Sequence, residues 1–263
     1  MLVFAAITPH PPILIPSIGK DNINQITKTK EAMEDLSGAL YAAQPETIII
    51  ISPHGLINAE FFTIQVSDSY QGDFKNFGSI DDKFEFGSDI SLINKIKIRA
   101  ETSDQPIVLA NELSLDHGVL VPLYYLTKNL PKVKIVPMAY SFLGYQEHFE
   151  FGKYLKQVIT RSNKRVAIIA SGDLSHCLTK DAPAGYSSKG EVFDKKLISI
   201  LEKMDYEQLL NFNEELAGEA KECGLRSFMI LAGALSKLNC EPQLLSYEYP
   251  FGVGYLVMNF KIV

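Results

Sequence analysis

Tryptophan is absent from this 263-residue chain, and cysteine occurs only at Cys177, Cys223 and Cys240. An odd number of cysteines without framework spacing offers no disulfide scaffold and favours a reducing compartment. No apolar run approaches the roughly 20 residues that span a bilayer, so no membrane partner is expected. The N-terminus lacks the basic stretch and small-residue cleavage site of a secretory signal, because its apolar start runs straight into a histidine turn. Lysine and arginine gather on no face that would serve nucleic acid, and the formal net charge is −6. These absences leave a soluble cytoplasmic protein as the expectation. No linker, repeat or low-complexity stretch divides the chain, and 46% hydrophobic residues suffice for one large core. Residues 1–263 therefore read as a single domain.

What is present is a pattern of apolar strands that end in histidine. Leu2 to Ile7 reads as a buried strand, and Thr8-Pro9-His10-Pro11-Pro12 follows it. Proline fixes its own φ and restricts the residue before it, so the His10 imidazole is held in one direction before any ligand arrives. Residues 22–41 carry helical spacing, and the β-branched run from Glu46 to Ile51 ends at Ser52-Pro53-His54-Gly55. Strand, helix, strand is the βαβ pattern, whose ligands gather at the carboxyl ends of the strands. It places His10 and His54 on one sheet edge, side by side. Phe61 to Val66 is a further strand, and residues 67–82 read as loop. A helix over 90–100 and a short strand at 107–109 precede Leu113-Ser-Leu-Asp116-His117-Gly118 and an apolar helix over 119–130. A strand over 133–138 and a helix over 146–159, which carries His148, come next. The strand over 165–170 stops at Ser171-Gly172-Asp173-Leu174-Ser175-His176. Helical spacing follows from Gly190 to Phe212, broken near Asp205, and a helix opens around Glu222-Cys223-Gly224. Residues 243–249 and 255–262 read as an antiparallel edge pair. The expected fold is α/β, with a central mixed, mostly parallel sheet flanked by helices and an active site at the carboxyl ends of the strands.

Four of the five histidines, His10, His54, His117 and His176, thus lie at or near strand ends beside Gly or Pro. Each alone fits a hydrogen-bonded loop histidine; together on one edge they suggest a metal site, an acid–base site or both. A two-histidine, one-carboxylate face that leaves open positions is the usual cradle of non-haem Fe(II). The candidate carboxylates are Asp116, Asp173, Glu222 and Glu248. Asp116 and Asp173 sit close to histidines, where a carboxylate more often orients an imidazole. Glu222 stands at a helix start, a favoured place for negative charge with or without a metal. Glu248 equally fits a solvated strand residue. Cys177 and Cys240 read as small core or loop residues.

Thr-Pro-His10-Pro-Pro, Ser-Pro-His54-Gly, Leu-Asp-His117-Gly with Pro122, Ser-Gly-Asp173-Leu-Ser-His176 and Glu222-Cys223-Gly-Leu-Arg226 occur in this order. Together they resemble the class III (LigB-type) extradiol ring-cleavage dioxygenase superfamily, which also contains the Memo-like proteins, and the resemblance spans nearly the whole chain. It implies a non-haem Fe(II) protein that cleaves a catechol- or aminophenol-type ring with O2, as in the catabolism of aromatic compounds. The implied metal ligands are His10, His54 and Glu222, with Cys223 as the alternative third ligand, as in Memo-like members. His176 is the implied acid–base residue, taking a phenolic proton and returning it. Asp173 would fix its tautomer, and His117 would hydrogen-bond the developing oxyanion. Tyr186 and the Pro250-to-Gly254 loop are further candidates for the pocket wall. The implied partners are a small aromatic substrate and O2, with a small helical second subunit or self-association left open.

Two alternatives stand beside this reading. Cys223 ligation would favour a Memo-like metal-binding protein, redox-active or partner-binding, without ring cleavage, because thiolate suits zinc or copper(I). A zinc hydrolase built on the same histidines lacks the HExxH spacing of that class.

Overall fold

The computed structural model describes all 263 residues. The β-branched and apolar runs form the strands β1 (Leu2–Thr8), β2 (Thr47–Ser52), β7 (Lys134–Ala139) and β8 (Val166–Ser171), which are almost wholly buried. Burial on both faces is what such continuous runs require, and helices supply the cover. These strands join β3 (Phe62–Val66), β6 (Ile107–Asn111), β9 (Cys240–Glu248) and β10 (Tyr255–Ile262) in one eight-stranded sheet, ordered β6-β3-β7-β2-β8-β1-β10-β9. The pairs β2–β7, β2–β8, β1–β8 and β3–β6 are parallel. Antiparallel pairing joins β3 to β7, β10 to β1, and β9 to β10 at the sheet edge. This is the mixed, mostly parallel α/β sheet that the strand–helix alternation implies.

Two apolar cores lie on opposite faces of the sheet. One holds α3 (Ile90–Ser103), α5 (Tyr145–Arg161), α6 (Ser188–Lys203) and α9 (Leu225–Leu235). The other holds α2 (Thr27–Ala43) and α4 (His117–Leu126). Short helical turns, including α1 (Pro16–Gly19), connect β1 to α2, while α7 (Tyr206–Leu210) and α8 (Glu214–Ala220) lead into α9. The break near Asp205 is a left-handed Met204 followed by Asp205, whose side chain accepts from Gln208 N and caps α7.

Residues 67–82 depart from the loop expected there. They contribute to a hairpin of β4 (Ser69–Phe74) and β5 (Ser79–Gly87), turning through Gly78 at φ 89°. Tyr70 and Phe74 are fully buried on one side of this hairpin while its Asp and Lys side chains face outward. The polar face dominates the composition and hides the strand period. The helix expected over 119–130 is also displaced, running from His117 to Leu126, because Asp116 accepts from Val119 N and fixes its start.

Helices α5 and α9 pack so closely that two glycines are obligatory. A Cβ on Gly152 would overlap the Ile230 carbonyl, and one on Gly233 would overlap the Phe149 carbonyl. Backbone cannot retreat from such an overlap as a flexible side chain can. Gly152→Ala and Gly233→Ala are each expected to lower stability by about 1–3 kcal/mol, outweighing the roughly 1 kcal/mol that alanine gains in helix propensity. A fall in the urea midpoint checks this. An unchanged or raised midpoint would show that the helices are not this close.

Candidate metal centre

The carboxyl edge of the sheet gathers the histidines. β8 lies between the strands that carry His10 and His54, so those strands are not neighbours, yet the two side chains meet across its end. Their Nε2 atoms are 3.0 Å apart. Cys223 Sγ lies 3.8 Å from His10 Nε2, and the three ligand atoms fall within 4.8 Å of one another. Tetrahedral coordination at the usual metal–nitrogen and metal–sulfur lengths would set these edges at about 3.3 and about 3.6 Å. Two imidazole nitrogens face each other with a thiol beside them, a set of soft and borderline donors that fits a bound transition metal.

Each ligand candidate is held from behind. With Nδ1–H donating to Ser171 Oγ at 3.0 Å, His10 presents the Nε2 lone pair to the cluster. Its backbone N–H donates to Asp173 Oδ1 at 3.0 Å. His54 N–H donates to Ser52 Oγ at 3.1 Å, and Ser52 in turn donates to Asp116 Oδ1 at 2.5 Å. Asp116 thus orients the His54 turn through Ser52 and caps α4. The Cys223 Sγ accepts from Asp173 N at 3.2 Å, while Cys223 N and Gly224 N donate to Asp173 O. Gly172 lets the β8 end approach so near that an added Cβ would strike Gly224 Cα.

Glu222 takes another direction. Its Oε2 accepts from Leu225 N at 2.7 Å, the capping role open to a carboxylate at a helix start, and it lies outside the cluster. The structure therefore brings Cys223, the alternative third ligand, to the two imidazoles. The physical reason is that the first turn of α9 needs a side-chain acceptor, and Glu222 supplies it.

The remaining histidines divide as their settings suggest. His117 stacks on His54 with centroids 4.3 Å apart and lies 5.4 Å from His10. His176 completes the group: it is near enough to depress the basicity of His10 and to feel His54, and its Nδ1 is buried without a partner. Its link to Asp173 differs from the expected one, for the Asp173 carboxylate bonds His10 N instead. Between them Leu174 N is tied to Gly254 O. His148 stands away from the edge, its ring nitrogens 2.7 and 3.1 Å from the Gly144 and Ser141 carbonyl oxygens. Glu248 clamps Thr29 through N and Oγ1, Cys177 packs against Ser175, and Cys240 lies beside Met204. Tyr186 is exposed, and the Pro250-to-Gly254 loop supports the His176 turn through Gly254 N to Ser175 O. Phe77 at the hairpin tip, 5.1 Å from His117, walls the site and gave no signal in the sequence.

Burial governs the protonation of the site. It pushes His10 well below the ordinary imidazole range, with His54, His117 and His176 adding repulsion. His117 is lowered to about 4 by burial and then by His54. Neutral imidazoles are what a metal requires. Burial raises Asp173 to about 7, against the pull of the His10 N–H, and lifts the free Cys223 thiol, with Asp173 adding to it.

The fold and site define an α/β protein with a histidine–cysteine cluster at the carboxyl ends of its strands. The sequence profile described as "catalytic LigB subunit of aromatic ring-opening dioxygenase" matches residues 4–258, and the chain belongs to that family. It is 34% identical to Protein CA_C1420 of Clostridium acetobutylicum over 96% of this chain and 56% of that protein. A MEMO1 family protein, MJ0403 of Methanocaldococcus jannaschii, is 28% identical over 53% of this chain and 50% of its own length. The chain therefore spans about half the length of the curated relatives it matches. The uncharacterised protein JW3007 of Escherichia coli K12 shares the fold, with a TM-score of 0.69 at 16% identity over 98% of this chain and 99% of that one. No helix of the chain is long and apolar enough to cross a membrane.

The turn that carries His176 depends on a buried acid. Asp194 on α6 accepts from Ser175 N at 2.9 Å and from Tyr247 Oη–H at 2.6 Å, and burial raises its carboxyl to about 7. A carboxyl raised above its unfolded value binds its proton more tightly in the folded state, so stability falls as pH rises from about 4 to about 7. The slope is at most about 1.4 kcal/mol per pH unit for this one proton. Asp194→Asn, which cannot ionise, is expected to lessen that part of the urea-midpoint slope, leaving the contributions of Asp173 and Glu222, which burial also raises to about 7. A slope identical to wild type would remove Asp194 from the account.

Proposed function

We propose that this chain is a Memo-like metal-binding protein whose centre is His10 Nε2, His54 Nε2 and Cys223 Sγ, and that it does not cleave aromatic rings. The observation that carries this reading is the place of Cys223. A thiolate beside two imidazoles selects zinc or copper(I) over a dioxygen-activating ferrous site, which prefers a carboxylate third ligand. A bound metal would supply Lewis acidity or, as copper, one-electron chemistry. The chain's own residues do the rest. Ser171 aims the His10 imidazole, Ser52 holds the His54 turn, the Asp173 N–H steadies the sulfur, and His117 stacks on His54 with Phe77 beside it.

Family membership and the two further imidazoles support ring cleavage as the second reading. There His176, with an unpartnered Nδ1, accepts a phenolic proton, and His117 donates to the developing oxyanion. Iron reconstitution without oxygen, followed by air and a panel of protocatechuate, catechols and 2-aminophenol, separates the two. Consumption of substrate to a yellow product would favour the second reading.

The ligand set itself is tested by metal retention. Cys223→Ser is expected to weaken zinc binding by more than about tenfold in competition with a chromogenic chelator, and Glu222→Gln to leave it near wild type. The reverse pattern would restore the carboxylate as third ligand and, with it, the ferrous dioxygenase.

A further inference from the structure

One turn into α9 from the capping Glu222 stands Arg226, and nothing in the protein neutralises it at contact distance. Its guanidinium makes no hydrogen bond, its Nε is buried without a partner, and its Cζ lies 5.6 Å over the Tyr145 ring. A guanidinium half removed from water with no acceptor is costly, and it is a strong receptor for a planar anion. Tyr145 lies beneath it, and Tyr140 directly follows β7 at the same carboxyl edge of the sheet. Their rings are only 7% and 8% exposed, yet neither hydroxyl bonds to a protein group, and neither is sealed from open space. Buried rings with free hydroxyl tips leave two phenolic donors without a protein acceptor. Arg226 stands in the first turn of α9, three residues after Cys223, so the group adjoins the metal centre; in keeping with this, Arg226 acts electrostatically on both phenols and the Cys223 thiol acts on Tyr140.

We propose that Arg226, Tyr140 and Tyr145 form an anion subsite beside the His10–His54–Cys223 centre, which receives the carboxylate of a small organic acid. The inference rests on that centre being a place where a ligand docks, and it names the chemical class of the ligand. Glu222 is the strongest opposing charge, with Glu214 felt more weakly at Tyr145. Its Oε2 is engaged by Leu225 N–H, and it makes no ion pair with Arg226. The incoming carboxylate gains the guanidinium fork, two phenolic donors and the positive end of α9, which together outweigh one carboxylate held in a cap.

The test uses benzoate as the probe and benzyl alcohol as its neutral counterpart, followed by ligand-observed NMR on the zinc-loaded protein and again after chelation. Wild type is expected to bind benzoate saturably, at least about tenfold more tightly than benzyl alcohol. Arg226→Met is expected to lose about tenfold or more of that affinity, with Arg226→Lys recovering part of it. Tyr140→Phe and Tyr145→Phe keep the buried rings and are expected to weaken benzoate severalfold, which keeps the test open if Arg226→Met does not fold. Absence of saturable benzoate binding, equal affinity for benzyl alcohol, full affinity in these variants, or binding that vanishes with zinc would each overturn the proposal. Zinc content measured on the same samples separates the two claims. Benzoate binding without zinc retention would fault the metal reading alone, and zinc retention without benzoate binding would fault the subsite alone.

Discussion

Asp173 joins three pieces of chain that are far apart in sequence. Its carboxylate accepts from His10 N, its own N–H donates to Cys223 Sγ, and its carbonyl accepts from Cys223 N and Gly224 N. The turn after β8 thus fixes both the first histidine and the cysteine at the start of α9. Because β8 runs between β1 and β2, this one residue sits where both histidine turns converge. Everything that the edge does depends on that convergence. The prolines around His10 restrict its turn, and the Asp173 bonds then place it.

Burial has a second consequence. Four imidazoles and three carboxyls crowd the edge; His10 and Asp173 are buried, His54 is exposed at the rim and the others are half-buried, and desolvation drives each towards its neutral form. An edge of neutral imidazoles is a set of lone pairs in want of a cation. Burial of Ser52, Ser171 and Asp173 explains the dense hydrogen bonding behind the ligands, since an unmet polar group there costs far more than at the surface. Ser171, Ser52 and Asp116 are consequently as much a part of the centre as the side chains they aim.

Much of this was legible in the sequence. The Pro-His turns after two apolar strands, and the Ser-Gly-Asp-Leu-Ser-His run after a third, identified the edge, because strand ends and their punctuation are local signals. Long-range order was not legible: nothing local in Ile48 to Ile51 or Ala167 to Ala170 says that β8 inserts between β1 and β2. The third ligand was ambiguous between Glu222 and Cys223 for a related reason. At a helix start the 3.6-residue period has not begun, so adjacent side chains point apart in directions that only the cap decides. The same limit hid the partner of Asp173, which turns to His10 across the sheet although His176 is three residues away. Arg226 and Tyr145 were invisible as a pair, since they meet only when α5 and α9 pack through Gly152 and Gly233.

The central claim is that a sulfur atom completes the site. X-ray absorption at the zinc edge of the metal-loaded protein tests it most directly, because sulfur and nitrogen scatterers differ in both distance and phase. Ligation by Cys223 requires one sulfur at about 2.3 Å together with imidazole nitrogens at about 2.0–2.1 Å. A shell of nitrogen and oxygen alone, with no sulfur, would contradict it.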